Sequence, residues 1–163
     1  MNDEKKFSLE EAQVVFAKSI SNGIWGLLEK TSRSAHDDEI LLLSAFASLY
    51  HWRQFGSHVH FQRGYWMISK VYHVLGHPDQ ALLWAKKCQA ITDDQSSEME
   101  DFDLAYAQEG LARAYSLNGD LDQAELHYQK ALNLGEAIDD PEDKKIFLDD
   151  LQANDWSQLN KKV

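Results

Sequence analysis

The chain has a single cysteine, Cys88, and only two prolines among its 163 residues. One cysteine excludes an internal disulfide framework, and without a Cys pair there is no zinc-ribbon or thioredoxin-like spacing. A reducing, cytoplasmic setting is the simplest expectation. Residues 1–8 lack the apolar run and small-residue cleavage site of a secretory leader. The most apolar segment, Ile40 to Trp52, falls short of the roughly 20 residues needed to cross a bilayer and reads as a buried helix. There is also no glycine-rich phosphate loop, nucleophile elbow, HExxH or kinase signature, so the expectation is a protein that is not an enzyme and uses no cofactor.

Positive charge is scarce as well. Lys and Arg number 16 against 27 Asp and Glu, a net charge of -11, which repels a phosphate backbone or an anionic membrane surface. Residues 1–92 hold ten Lys/Arg and nine Asp/Glu, a balance of +1, whereas residues 93–163 hold six and eighteen, a balance of -12. The near-neutral half also contains six of the seven histidines and Trp25, Trp52, Trp66 and Trp84, so a binding site is expected there.

What is abundant favours helices: Ala, Leu, Gln, Glu and Lys fill long stretches, and the length suits one domain. Ser8 and Glu11 have capping-box spacing, and Phe16, Ile20, Ile24 and Leu27 recur on one face of a first helix over about 8–30. The polar run 31–38 supplies N-caps for a second helix, whose apolar residues around Ile40 to Tyr50 cover nearly every face and predict the most buried helix of the chain. Gly56-Ser57 ends it, and a third periodic segment runs from Phe61 to Gly76. Pro78 opens a shorter fourth helix with Ala81, Leu82, Ala85 and Cys88 inside, followed by a polar loop over 92–99. Leu104 to Leu117 and Leu121 to Leu132 mark helices five and six around the turn Gly119-Asp120, and Pro141 opens a seventh.

Laying Gly76 over Gly119 places Tyr72 on Tyr115, Ala81 on Ala124, Ala85 on Tyr128 and Cys88 on Ala131, an internal repeat at an offset of 43. Small residues at 112, 124 and 131 let helices approach, and Tyr115 and Tyr128 fill the spaces between neighbours. The stretch Leu111 to Leu134, with Leu111, Ala112, Tyr115, Gly119-Asp120, Ala124, Tyr128 and Ala131 at signature positions, resembles the tetratricopeptide repeat. The unit of Ile68, Ser69, Tyr72, Gly76, Ala81 and Cys88 is similar in a looser way, and Tyr50 to about Asp149 resembles a group of small bacterial repeat proteins of unassigned activity. The resemblance implies an all-α fold: a right-handed α-solenoid of antiparallel helix pairs with about seven helices. Its divisions would be a degenerate first pair over 8–55, repeats over 57–92 and 101–138, a capping helix over 141–153 and a tail over 154–163.

In that family the first helix of each pair lines a concave groove, which implies Arg63, Trp66, Lys70 and His73 from helix three and Glu109, Arg113 and Ser116 from helix five. An acidic peptide or protein partner suits this set, with Arg63, Lys70 and Arg113 anchoring carboxylates beside Trp66; on the ordinary reading Arg63 and Lys70 are solvated charges and Trp66 is core. A second reading uses the cluster His51, Trp52, His58, His60 and Arg63 as a small-molecule or metal pocket. His58 and His60 are two apart and so do not share a helix face, and Cys88 stands at a small core position without a histidine partner, so no metal and no nucleophile are assigned. Gly64 marks a close approach, by a neighbouring helix or by a ligand. Trp156 either folds back on the last repeat or forms a contact between copies, and self-association is a third reading.

Overall fold

The structure is a computed structural model that describes residues 7–154 and Trp156. Among the described residues there are seven α-helices, one short 3-10 turn and no β-strand: α1 (Leu9–Leu28), α2 (Ala35–Phe55), α3 (His58–Val74), α4 (Pro78–Asp94), α5 (Asp101–Asn118), α6 (Leu121–Glu136) and α7 (Pro141–Ala153). No helix among them is long and apolar enough to cross a membrane. Residues 1–6 and most of the expected tail, 155 and 157–163, lie outside the described residues.

The helix ends follow local chemistry. The Ser8 amide donates to the Glu11 carboxylate at 2.8 Å while the Glu11 amide donates back to the Ser8 hydroxyl at 3.1 Å, satisfying two N–H groups that the helix leaves orphaned. Ser34 and Asp37 repeat the device at the start of α2. Pro78 and Pro141 occupy first-turn positions, where a missing N–H costs nothing. Gly76 and Gly119 take φ of 74° and 81°, the left-handed region that lets the chain leave α3 and α5 without a Cβ clash.

Packing is between successive helices: α1 with α2, α3 with α4, α5 with α6, and then α2 with α3, α4 with α5, and α7 with both α5 and α6. Helix α3 also meets α5 directly, and this contact positions the site described below. Ala81, Ala85, Ala105, Ala112, Ala124 and Ala131 are fully or almost fully buried, so backbones approach closely where the helices cross. Gly64 has the same purpose: a Cβ there would lie 2.8 Å from Cδ1 of Leu49, so α2 makes a close approach at this position.

Two expectations are corrected. Helix α2 is not the most buried element, because Leu43 and Tyr50 are 59% and 60% exposed and only Leu41, Ala45, Ser48 and Leu49 of it are buried, with Leu42 and Phe46 packed partly buried beside them. Helix α5 takes that place, with nine buried residues that include Asp103, Glu109 and Arg113, and the charges hid this from a reading based on hydropathy. The polar segment from Thr92 is also not all loop, since α4 continues to Asp94 and the Thr92 hydroxyl donates to the Cys88 carbonyl at 2.8 Å, a bond that lets threonine remain helical and buried.

Among the glycines of the described residues Gly135 of α6 stands at the tightest crossing, because an added Cβ would run into the ring of Phe147, which is fully buried. Helix propensity favours alanine by about 1 kcal/mol, and overpacking costs about 1 to 3 kcal/mol. Gly135→Ala is therefore expected to lower the urea midpoint with an unchanged m-value; a raised midpoint would show that α7 is loosely seated.

Candidate functional site

Trp66 of α3, Tyr106 of α5 and Phe147 of α7 are joined by ring contacts, and Trp25 of α1 begins the series. Ring centroids are 6.2 Å apart from Trp25 to Trp66, 5.1 Å from Trp66 to Tyr106 and 4.8 Å from Tyr106 to Phe147. The four residues stand at nearly even spacing in sequence, one on each odd-numbered helix, so a single aromatic ladder crosses α1, α3, α5 and α7. Such tilted and edge-to-face pairs contribute about 0.5 to 1.5 kcal/mol each beyond their buried area.

Polar contacts between α3 and α5 keep the same register. Arg63 donates two hydrogen bonds to the Asp103 carboxylate, Nε at 2.8 Å and Nη2 at 2.9 Å. Gln62 donates to the Asp103 carbonyl at 3.0 Å, and Trp66 Nε1 donates to Glu109 Oε2 at 2.8 Å. Glu109 also accepts from Arg113 Nε at 2.7 Å, Arg113 Nη2 at 3.2 Å and Asn154 Nδ2 at 3.1 Å. Glu109 and Arg113 are 1% and 2% exposed. Burial drives the Glu109 carboxyl up, but the charge and hydrogen bonds of Arg113, with Lys70 and Trp66, outweigh it and hold the group below the usual carboxylate range.

Trp25, Trp66 and Tyr106 of the ladder line a cavity of about 620 Å³, whose lining also includes Lys18, Trp52, Arg63 and Phe102. Its rim also carries Ile146 and Asp150 of α7. The acids in it are already engaged, Asp103 by Arg63 and Asp150 by the Tyr106 hydroxyl at 2.7 Å. The cations are less occupied: exposed Lys18 has no ion pair among the described residues, and Lys70 lies against aromatic faces, its Nζ 4.8 Å from the Trp66 ring and 5.2 Å from the Trp25 ring. Burial, followed by repulsion from Arg113, pulls the Lys70 ammonium below its usual range, against the attraction of Glu109 and Asp150.

The residues singled out in the sequence divide into groups. Arg63 and Trp66 line this cavity, while His73, Arg113 and Ser116 line a second of about 470 Å³. Glu109 and Arg113 are interior groups that satisfy one another, so Arg113 is not the surface carboxylate anchor that its helical position suggested. The His/Trp cluster does not assemble around one point. His60 stacks on Trp52 at 3.9 Å and faces the first cavity, His58 meets Glu98 at 3.0 Å, and His51 is taken by Gln13. Burial, then the charges of Arg63 and Lys18, lowers the His60 pKa. Among the described residues no three His, Cys, Asp or Glu side chains form a group able to hold a metal ion. Cys88 is buried, and desolvation pushes its thiol far above the usual range, leaving it unreactive.

Lys18, Trp25, Tyr106, Asp150 and Asn154 were missed in the sequence. Lys18, Ser21, Asn22 and Trp25 follow i, i+3, i+4, i+7 spacing on one face of α1, and the near-regular recurrence of aromatics from Trp25 to Phe147 was the available signal. Comparisons of the chain with models of protein families, with curated proteins and with solved structures return no match.

Removing one member of a buried ion pair leaves the other uncompensated, at a cost of about 3 to 5 kcal/mol. Arg113→Met is therefore expected to lower unfolding free energy by that amount, and Arg113→Met with Glu109→Gln to recover most of it in chemical denaturation. Equal loss in both would show that the pair is not isolated from water.

His73 yields a pH effect. Burial, followed by repulsion from Arg113, lowers its pKa from 6.5 to about 4, partly opposed by the charge of Glu109. Between those values the unfolded chain binds a proton that the folded chain refuses, so this contribution is complete above pH 6.5 and is lost as pH falls towards 4. His73→Gln is expected to flatten that part of the stability profile; an unchanged slope would mean that His73 titrates normally.

Proposed function

We propose that the chain is a non-catalytic interaction module of the tetratricopeptide-like type, a right-handed solenoid of antiparallel helix pairs whose concave groove holds a peptide segment of a partner protein. The reading is supported by one observation above the others. A ring recurs on α1, α3, α5 and α7, so that the first helix of each pair and the final helix share one wall. Pairing of α1 with α2, α3 with α4 and α5 with α6 fits the same architecture, with α7 as the cap.

The occupant is an acidic peptide bearing at least one bulky apolar side chain. Charge argues for it: the chain as a whole is at -11, but Lys18 lines the groove without an ion pair among the described residues, Lys70 lies against the Trp25 and Trp66 rings, and the two lining carboxylates are hydrogen-bonded, Asp103 to Arg63 and Asp150 to Tyr106. The rings of Trp25 and Phe102 and the exposed side chain of Ile146 supply the apolar surface.

Selection from a displayed random-peptide library against the full chain tests this proposal. Enriched peptides are expected to combine Asp or Glu with Trp, Phe, Leu or Ile, and to bind more weakly as salt rises. Lys18→Glu combined with Trp25→Ala, both exposed side chains, is expected to weaken binding by at least about tenfold with helical circular dichroism unchanged. Enrichment of basic peptides, or full binding by the double variant, would contradict the groove.

A further inference from the structure

The second cavity lies between the C-terminal half of α3, the end of α5, the start of α6 and the segment after α7. Its polar lining is Arg113, His73, Ser116 and Asn154, and its apolar lining includes Leu117 and Trp156. Trp156 is fixed over it from the chain's end, its Nε1 donating to the Leu151 carbonyl at 2.6 Å and its ring 5.1 Å from that of Tyr128.

Two buried polar atoms on this lining have no hydrogen-bond partner within the protein, Nη1 of Arg113 and Nδ1 of His73. Leaving a buried donor or acceptor unsatisfied costs about 1 to 3 kcal/mol, and more for a charged group. Arg113 spends Nε and Nη2 on Glu109 and leaves Nη1 without a partner. An unpartnered guanidinium nitrogen and an unpartnered imidazole nitrogen belong to residues that line the cavity together with an indole and leucines.

We infer that this cavity is a binding site for a small monocarboxylic acid with an apolar body, its carboxylate taken by the unpartnered Nη1 of Arg113 with Ser116 and His73 beside it and its body lying against Trp156 and Leu117. The site is separate from the peptide groove and does not depend on it. A guanidinium suits a carboxylate because its N–H groups match the spacing of the two oxygens.

The test uses sodium benzoate, sodium hexanoate and sodium acetate as probes, with benzyl alcohol as the uncharged control, on the full chain. Binding is followed through the Trp156 indole resonance, identified by its loss in Trp156→Phe. A saturable shift with benzoate or hexanoate, at least about tenfold stronger than with benzyl alcohol, is expected. Ser116→Phe, which fills the cavity, and the paired Glu109→Gln with Arg113→Met, which removes the anchor without leaving a lone charge, are each expected to abolish it. Trp25→Ala, at a residue that lines the peptide groove and not this cavity, is expected to leave it unchanged. No saturable shift with any carboxylate up to about 50 mM, equal binding of benzyl alcohol, or undiminished binding in Ser116→Phe would identify Arg113 and His73 as a structural pair and overturn the site.

Discussion

A carboxylate removed from water costs several kcal/mol unless partners replace its hydration, and Glu109 is removed almost completely, at 1% exposed. Four N–H groups replace that hydration: two from Arg113 on its own helix, the indole of Trp66 on α3 and the amide of Asn154 after α7. The group therefore ties three separate parts of the chain to one point. Moving α3 along α5 by a single turn, about 5.4 Å, would break the Trp66 bond, separate Arg63 from Asp103 and interrupt the aromatic ladder. Apolar packing alone tolerates several registers, whereas a buried carboxylate with directional donors favours one.

That register brings Trp25, Trp66 and Tyr106 together on the first cavity and Arg113 and His73 on the second. The two cavities differ in what they leave available. The first has exposed Trp25 and Lys18 among its lining, and the proposed peptide groove rests on them. The second has Arg113, His73 and Trp156 in its lining, and the proposed carboxylate site rests on them.

Much of the architecture was legible in the sequence. The capping pair Ser8 and Glu11, the prolines at the starts of α4 and α7, and the turn glycines Gly76 and Gly119 each have a local cause, and each lies where local chemistry puts it. The repeat offset read from glycines and tyrosines, 43 residues, equals the separation of Trp66 and Glu109. Burial was less legible. Leu41, Leu42, Leu43 and Tyr50 look like a core, yet α2 has helices on only part of its circumference and two of these residues face outward. Conversely, Asp103, Glu109 and Arg113 look like solvated charges and are interior, because a partner from another helix or another turn cancels each one. Side-chain pairing across some 40 residues is invisible to any local pattern, which is why Asn154 was not considered at all; the Glu109–Arg113 pair has i, i+4 spacing, and what the sequence hid was its burial.

Trp66 and Glu109 provide the most direct test of the whole arrangement, through a double-mutant cycle in urea with Trp66→Phe and Glu109→Gln. Direct contact between the two side chains gives a coupling energy of about 1 kcal/mol or more, with the double variant more stable than the sum of the single losses. Additive losses, within about 0.3 kcal/mol, would mean that the indole and the carboxylate do not meet, and that α3 and α5 are not held in the register on which both cavities depend.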